Sequence, residues 1–272
     1  GKKLPRHSPV LWNVGYWKNA FYWDGRAKTL EDNVKGAWGG GNMGGAPADA
    51  KPEEVVAALD KRAAELAGTG GYKKLFEAAF GTTPIKAEHA IGAISEYLRT
   101  MVCNDTKFDK FAAGDKKALS EREQRGLDLF LMPSKGNCMM CHSPPYFSTA
   151  MATDGGAYFN VGIGTRDASG AEVAANLVDV GRLKISKQDS DWGAFKIPSL
   201  RNVSKSAPYF HDGSVAKLED AVKLMASGGI ANKNKFPMLD DRKLSAEELG
   251  DLVAFLGALE CPNKLEAPKE MP

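Results

Sequence analysis

The stretch "GNCMMCHS", residues 136–143, governs how the rest of the chain is read. Cys138 and Cys141 are separated by two residues, and His142 follows the second directly. Cys-x-x-Cys-His is the attachment signature of c-type haem: the thiols add to the two porphyrin vinyl groups and the adjacent imidazole ligates the iron. Two intervening residues let both sulfurs reach their vinyls from one turn, and the next side chain then meets the metal. Cys138 and Cys141 are expected as thioether anchors, His142 as the axial ligand, and Met139 and Met140 as fillers of the loop. A thioredoxin-like redox pair would want a strand before the motif, and half a zinc site would want a second Cys/His pair nearby. Neither context is present.

Upstream of the motif, Ser120 and Glu123 form a capping box ahead of "REQRGLDLFLM", in which Leu127, Phe130 and Leu131 make an apolar face. A helix therefore leads into the haem motif. Downstream, residues 151–200 are loop-like and rich in Gly and Asp, a length of irregular chain that ordinarily packs on a ligand. Helices return over about 215–226 and after Ser245, where Glu248 completes a second capping box. Leu249, Leu252, Val253, Leu256 and Leu259 stripe that last helix. In the N-terminal half, residues 52–66, 72–80 and 84–101 carry helical periodicity, with Pro52 and Pro84 in first turns and Thr83 as a cap. His89 reads as a polar residue within the third of these, not as a metal ligand. The polar run "NDTKFDKFAAGDKKALS" suits a connector. The predicted architecture is mainly α with little β: cytochrome c-like helical domains joined by long irregular loops, divided at 1–115, 116–262 and a polar tail, 263–272.

A chain of 272 residues can bury two modest cores. Net charge is +2 and charged residues make up 26%, so no large field points to nucleic acid. No apolar run approaches the roughly 18 residues of a membrane span. The start, "GKKLPRHSP", lacks an initiator Met and a signal-peptide apolar region, which reads as a processed chain. Cys103 and Cys261 are either separate thiols or a bridge closing a long loop in an oxidising compartment. Covalent haem is assembled outside the cytoplasm, so the bacterial periplasm is the expected address and the bridge the favoured state. Nine methionines and three other histidines compete for the sixth iron position. A Met or His there gives electron transfer, and an open position gives peroxide or oxygen chemistry.

"SPVLWN" (8–13), "FYWDGRAKTLEDN" (21–33) and "FKIPSLRNVSKSAPYFHDGSVAKLEDAVKLM" (195–225) together resemble the bacterial dihaem cytochrome c peroxidase and MauG family. The resemblance spans nearly the whole chain. It implies that Cys138, Cys141 and His142 hold the family's C-terminal haem, with Met225, fourteen residues after His211, as distal ligand. MauG-type enzymes carry a tyrosine there, so Met225 resembles the peroxidase branch. His211 is expected beside the haem and off the iron. Trp23 of "WDGR" resembles the tryptophan that relays electrons between the haems, with Trp12 and Trp17 as neighbouring rivals. A calcium ion is implied at Asn13, Ser206 and Pro208, through oxygen donors of the kind Ca²⁺ prefers.

The sequence also departs from the family. The peroxide-reactive haem of such enzymes sits on an N-terminal Cys-x-x-Cys-His, whereas this sequence has one such motif and starts just after the point where the first would end. A second haem c is therefore expected on a missing segment or a partner chain. Asn42 stands before Met43 and Gly44 where the family has its pocket glutamate, and an amide cannot shuttle protons as a carboxylate does. Asn33 occupies a position where peroxidases tend to have Gln. Three functions follow from the resemblance. The first is a peroxidase reducing hydrogen peroxide with electrons from a small cytochrome or cupredoxin. The second is a MauG-like oxidase that uses peroxide or oxygen to withdraw electrons from a partner protein's Trp or Tyr. The third is a mono-haem electron carrier. A homodimer is compatible with all three.

Overall fold

Side-chain caps fix several helix starts in the computed structural model, which describes residues 4–40, 43–47, 49–81, 84–165, 171–174, 177–262 and 265. The helices are α1 (Leu30–Gly39), α2 (Pro52–Ala67), α3 (Tyr72–Phe80), α4 (Ala87–Thr100), α5 (Lys107–Ala112), α6 (Glu121–Leu131), α7 (Thr149–Ala152), α8 (Leu183–Ser186), α9 (Leu218–Ala226) and α10 (Ala246–Gly257). Among the described residues the only sheet pairs β1 (Tyr158–Phe159) antiparallel to β2 (Phe195–Lys196), with Tyr158 opposite Lys196. The chain is thus mainly α, as predicted. Ser120 and Ser245 cap α6 and α10 in reciprocal boxes with Glu123 and Glu248.

Two local expectations are corrected. Helix α4 starts at Ala87, three residues after Pro84, because Asp60 takes the Ala87 N–H (2.8 Å) and His89 Nδ1 takes the Lys86 N–H (3.0 Å). His89 is spent on that helix start. The polar connector contains α5, opened by a Thr106–Asp109 capping box, and its Phe108 and Phe111 pack on the C-terminal core. Thr83, Asn42 and the 263–272 tail, Leu265 apart, lie outside the described residues.

Two principal apolar cores result. One gathers Val14, Phe21, Leu30, Val34, Leu59, Ile91, Leu98 and Met101; the other gathers Leu119, Leu127, Phe130, Phe147, Leu252, Phe255, Leu256 and Leu259. The Cys103–Cys261 disulfide is formed and ties the ends of the two units together. The bridge joins equivalent points of an internal repeat. Asn13 and Asn202 both adopt φ of 61°. The Asn13 N–H donates to Met101 O (2.8 Å) while its Oδ1 accepts from the Cys103 N–H (2.7 Å). The Asn202 N–H donates to Leu259 O (2.9 Å) while its Oδ1 accepts from the Cys261 N–H (3.1 Å). Single bridges Phe21–Ala27 and Tyr209–Val215 then enclose "WDG" and "HDG". Residues 90–103, "AIGAISEYLRTMVC", match 248–261, "ELGDLVAFLGALEC", in the same frame.

Arg201 locks the second unit around the haem motif. It is buried, pairs bidentately with Asp109 on α5 (2.8 and 2.7 Å) and donates from Nε to Pro145 O (2.9 Å), just past His142. Burial works to raise the Asp109 carboxyl, but hydrogen bonds from Arg201 and Thr106 outweigh it and hold the group below the usual range. A carboxyl with a depressed folded-state pKa contributes stability above its unfolded value, and that stability is lost as pH falls through the folded one. Arg201→Met should therefore cost about 3–5 kcal/mol at neutral pH by stranding Asp109. Denaturant melts should show the deficit shrinking as pH falls below the ordinary carboxylate range and Asp109 protonates.

Candidate haem site

Helix α6 ends at Leu131, and the chain turns back so that the Gly136 N–H donates to Leu129 O (3.1 Å). Asn137, at φ 50°, then starts a 3₁₀ turn over Cys138–Met140. The Cys141 and His142 N–H groups both donate to Cys138 O (3.2 and 2.9 Å), which winds the two thiols and the imidazole around one turn. Thr149 holds Cys141 O through its N–H and its hydroxyl, 2.9 Å each. His142 Nδ1 lies 3.1 Å from Phe147 O, a partner that makes Nδ1 the protonated nitrogen and leaves Nε2 to ligate a metal. The turn is braced from beneath by Phe130, Phe147 and Phe255, whose ring centroids lie 5.2–6.1 Å apart.

The turn forms part of the wall of a largely apolar cavity of ≈ 250 Å³. Cys138, Cys141, His142, Trp23, His211 and Met225 all line it, so these residues from four separate stretches of sequence meet there. The Gly-rich 151–200 stretch supplies Phe159, Val161 and Phe195 through Pro198, which gives that long irregular chain a cavity to enclose. Trp23 donates from Nε1 to His7 O (2.7 Å), and the His7 N–H donates to His211 O (2.6 Å), so the N-terminal segment links the Trp23 ring to the His211 backbone. His211 stacks on Phe195 with centroids 3.5 Å apart. Trp12 and Trp17 pack instead on the N-terminal core.

The electrostatics separate haem attachment from its rivals. Burial pushes the Cys138 thiol up to about 12 and the Cys141 thiol up to about 11, against a smaller pull from Arg242. A redox Cys-x-x-Cys pair shows the opposite shift. Burial likewise lowers His142 to about 4, against hydrogen bonding that favours its cation, so the imidazole is a neutral donor. Among the described residues no cluster of three His, Cys, Asp or Glu side chains could hold a metal ion, which leaves no zinc set for the cysteines to join. Two free thiols, a neutral imidazole and apolar walls fit covalent haem c.

The residues expected to bind calcium, Asn13, Ser206 and Pro208, lie outside this wall. The Asn13 amide clasps the Cys103 backbone in both directions, with Nδ2 donating to Cys103 O (3.0 Å) and Oδ1 accepting from its N–H. One lone pair of Oδ1 is left for a cation. Ser206 donates from Oγ to Val203 O (2.9 Å), and Pro208 is exposed after a cis peptide bond. Sequence reasoning missed Arg6, which bridges Asp179 (2.6 and 2.7 Å) and Asp24 (2.7 Å) across the two units. It also missed the internal repeat, whose "WDG"/"HDG" and "IG…C"/"LG…C" pairs were visible in the sequence.

Comparison with known proteins agrees with this geometry. A family profile described as di-haem cytochrome c peroxidase matches residues 1–117. The methylamine utilization protein MauG of Methylophilus methylotrophus is 31% identical over 97% of this chain and 70% of its own length. The cytochrome c551 peroxidase of Nitrosomonas europaea is 30% identical over 94% of this chain and 65% of its own. Among solved structures, a MauG-like protein associated with microbial copper homeostasis superposes with a TM-score of 0.77 at 29% identity, covering 96% of this chain and 77% of that one. The chain belongs to the di-haem cytochrome c peroxidase family, a family of peroxidase-type haem oxidoreductases. It spans about two thirds of the length of these curated relatives.

Proposed function

We propose that this chain is the larger part of a periplasmic dihaem peroxidase, in which residues 116–262 carry the electron-supplying haem and residues 1–115 carry the seat of a second. Bound haem would supply the redox-active iron; the chain's residues hold, insulate and connect it. Cys138 and Cys141 would anchor it, His142 and Met225 would hold its iron, and Trp23 would carry electrons towards the second seat. Hydrogen peroxide is the substrate, and a small cytochrome or cupredoxin is the donor. The formed Cys103–Cys261 bridge supports an extracytoplasmic address. No helix among the described residues is long and apolar enough to cross a membrane. Calcium at Asn13 with the Ser206 and Pro208 carbonyls belongs to the same function.

The observation that carries it is the uncovered half of the internal repeat. In the C-terminal unit, α6 covers Leu252 (2% exposed) and Phe255 (0%) on α10. Their counterparts on α4, Ile94 and Tyr97, are 41% and 54% exposed. Helix α4 thus presents the apolar face on which a second haem-bearing helix would sit, and Trp23 occupies the place in its unit that His211 occupies in the other. Burying two such side chains contributes about 1.5–3 kcal/mol each.

Ile94→Asp with Tyr97→Asp should lower peroxide turnover at least roughly tenfold by unseating that helix, 1.4 kcal/mol being one factor of ten. The visible spectrum of the haem at His142 should be unaltered. Turnover equal to the parent's would mean that the face has no such role. If pre-reduced protein consumes peroxide no faster than free haem, the peroxidase assignment fails and an electron carrier is left. A second reading, a MauG-like oxidase acting on a partner protein's Trp or Tyr, draws on the MauG relatives at 31% and 32% identity. Cross-linking or oxidation of an added Trp-bearing protein substrate, with little turnover of small-protein donors, would favour it.

A further inference from the structure

Lys196 is a buried amine without an anion, and burial alone pushes its ammonium well below the usual lysine range. It sits in β2 between two buried apolar residues, is itself 6% exposed, and forms no ion pair among the described residues. Its N–H donates to Trp23 O (2.7 Å), and its ammonium lies 3.1 Å from the centre of the Trp17 ring. An indole face steadies a cation but does not neutralise it. The nearby carboxylates are committed elsewhere: Asp24 to Arg6 and Arg26, and Asp179 to Arg6. A buried charge is retained in a fold when something pairs with it.

Lys196 also lines the haem cavity. Two cations share that wall, and they are differently placed. Arg242 lies on the far side of α9 in sequence, its N–H donating to Ala226 O (2.8 Å) next to Met225. Lys196 is tied through its N–H to Trp23 and follows Phe195, which stacks on His211. On a porphyrin the two propionate carboxylates lie on the half of the rim away from the vinyl groups. Thioether attachment at Cys138 and Cys141 would turn the propionates away from those two residues and towards the rest of the wall.

We propose that Lys196 is the counter-ion of a propionate of the haem held by Cys138, Cys141 and His142. This rests on covalent haem at those residues. The pair supplies the missing anion, with no change of bonding, and it places a neutralised carboxylate beside Trp23. A cation near the ring favours the reduced iron, so its loss should make the haem harder to reduce.

The test is redox titration of the holoprotein with Lys196→Met and Lys196→Arg. Lys196→Met should keep the axial-ligand spectrum and lower the midpoint potential, the ratio of reduced to oxidised haem at a fixed donor poise falling roughly tenfold. Lys196→Arg should restore it. The propionate bending band in resonance Raman should shift in the methionine variant alone. A methionine variant with parental potential and parental propionate band overturns the proposal. If Lys196→Met does not accumulate, Lys196→Gln reads the same two quantities. If neither accumulates, a propionate band in the parent that does not respond to deuterium exchange overturns it. Failure of the underlying haem assignment looks different: the denatured chain would carry no covalently bound haem.

Discussion

Gly126→Val is expected to abolish the C-terminal haem unit as a folded body. Gly126 is buried on α6 where that helix crosses α10, and a Cβ there would collide with the Asp251 carbonyl and come within 2.7 Å of Phe255 Cβ. Those neighbours cannot give way. Arg122 and Arg125 hold the Asp251 carboxylate at 3.2 and 2.7 Å, and Phe255 is fully buried among Phe108, Phe130 and Phe147. Overpacking against rigid backbone, added to loss of the helix crossing, should cost more than about 4 kcal/mol. Because α6 leads directly into Cys138, covalent haem should be lost with the fold, and haem staining of the denatured chain reads that directly. Gly257→Ala is the control. A Cβ there meets nothing within 4 Å, and the change should be neutral or stabilising by about 1 kcal/mol through helix propensity.

Met225→Leu should leave the fold intact and change the iron. Leucine keeps the apolar volume of α9 in the cavity wall but removes the thioether sulfur that the proposed haem would use. The expected result is a change from a low-spin to a high-spin visible spectrum, with a fall in midpoint potential on the order of 0.1 V as the methionine ligand is lost. Met140 also lines the cavity, with its sulfur 3.9 Å from Asn137 Nδ2, so Met140→Leu is the matched comparison and should keep the low-spin spectrum. A low-spin spectrum in Met225→Leu and a high-spin one in Met140→Leu would transfer the ligand to Met140.

Much of the site was legible because haem attachment is a local requirement. Two thiols and an imidazole must fit one turn, and Cys138, Cys141 and His142 state that within five residues. Capping boxes at Ser120 and Ser245 are equally local, and both helices begin where the sequence says. The start of α4 was misplaced because its deciding partner, Asp60, lies 27 residues away. The helix within the connector was missed because six residues carry little periodicity. Phe108 and Phe111 declare themselves only when packed on the second core.

The sequence by itself determined the chemistry to be anchored and the family of the chain, since both depend on residue identity at short, fixed spacings. Tertiary structure alone decided which distant groups meet. It drew Trp23 and Met225 to one cavity and left Trp17 under Lys196 on the other core. It set Asn13 against Cys103, and it joined Cys103 to Cys261 across 158 residues. It also left Ile94 and Tyr97 bare where Leu252 and Phe255 are covered. Periodicity marks an apolar face on each helix alike, but only packing shows which face has found its partner.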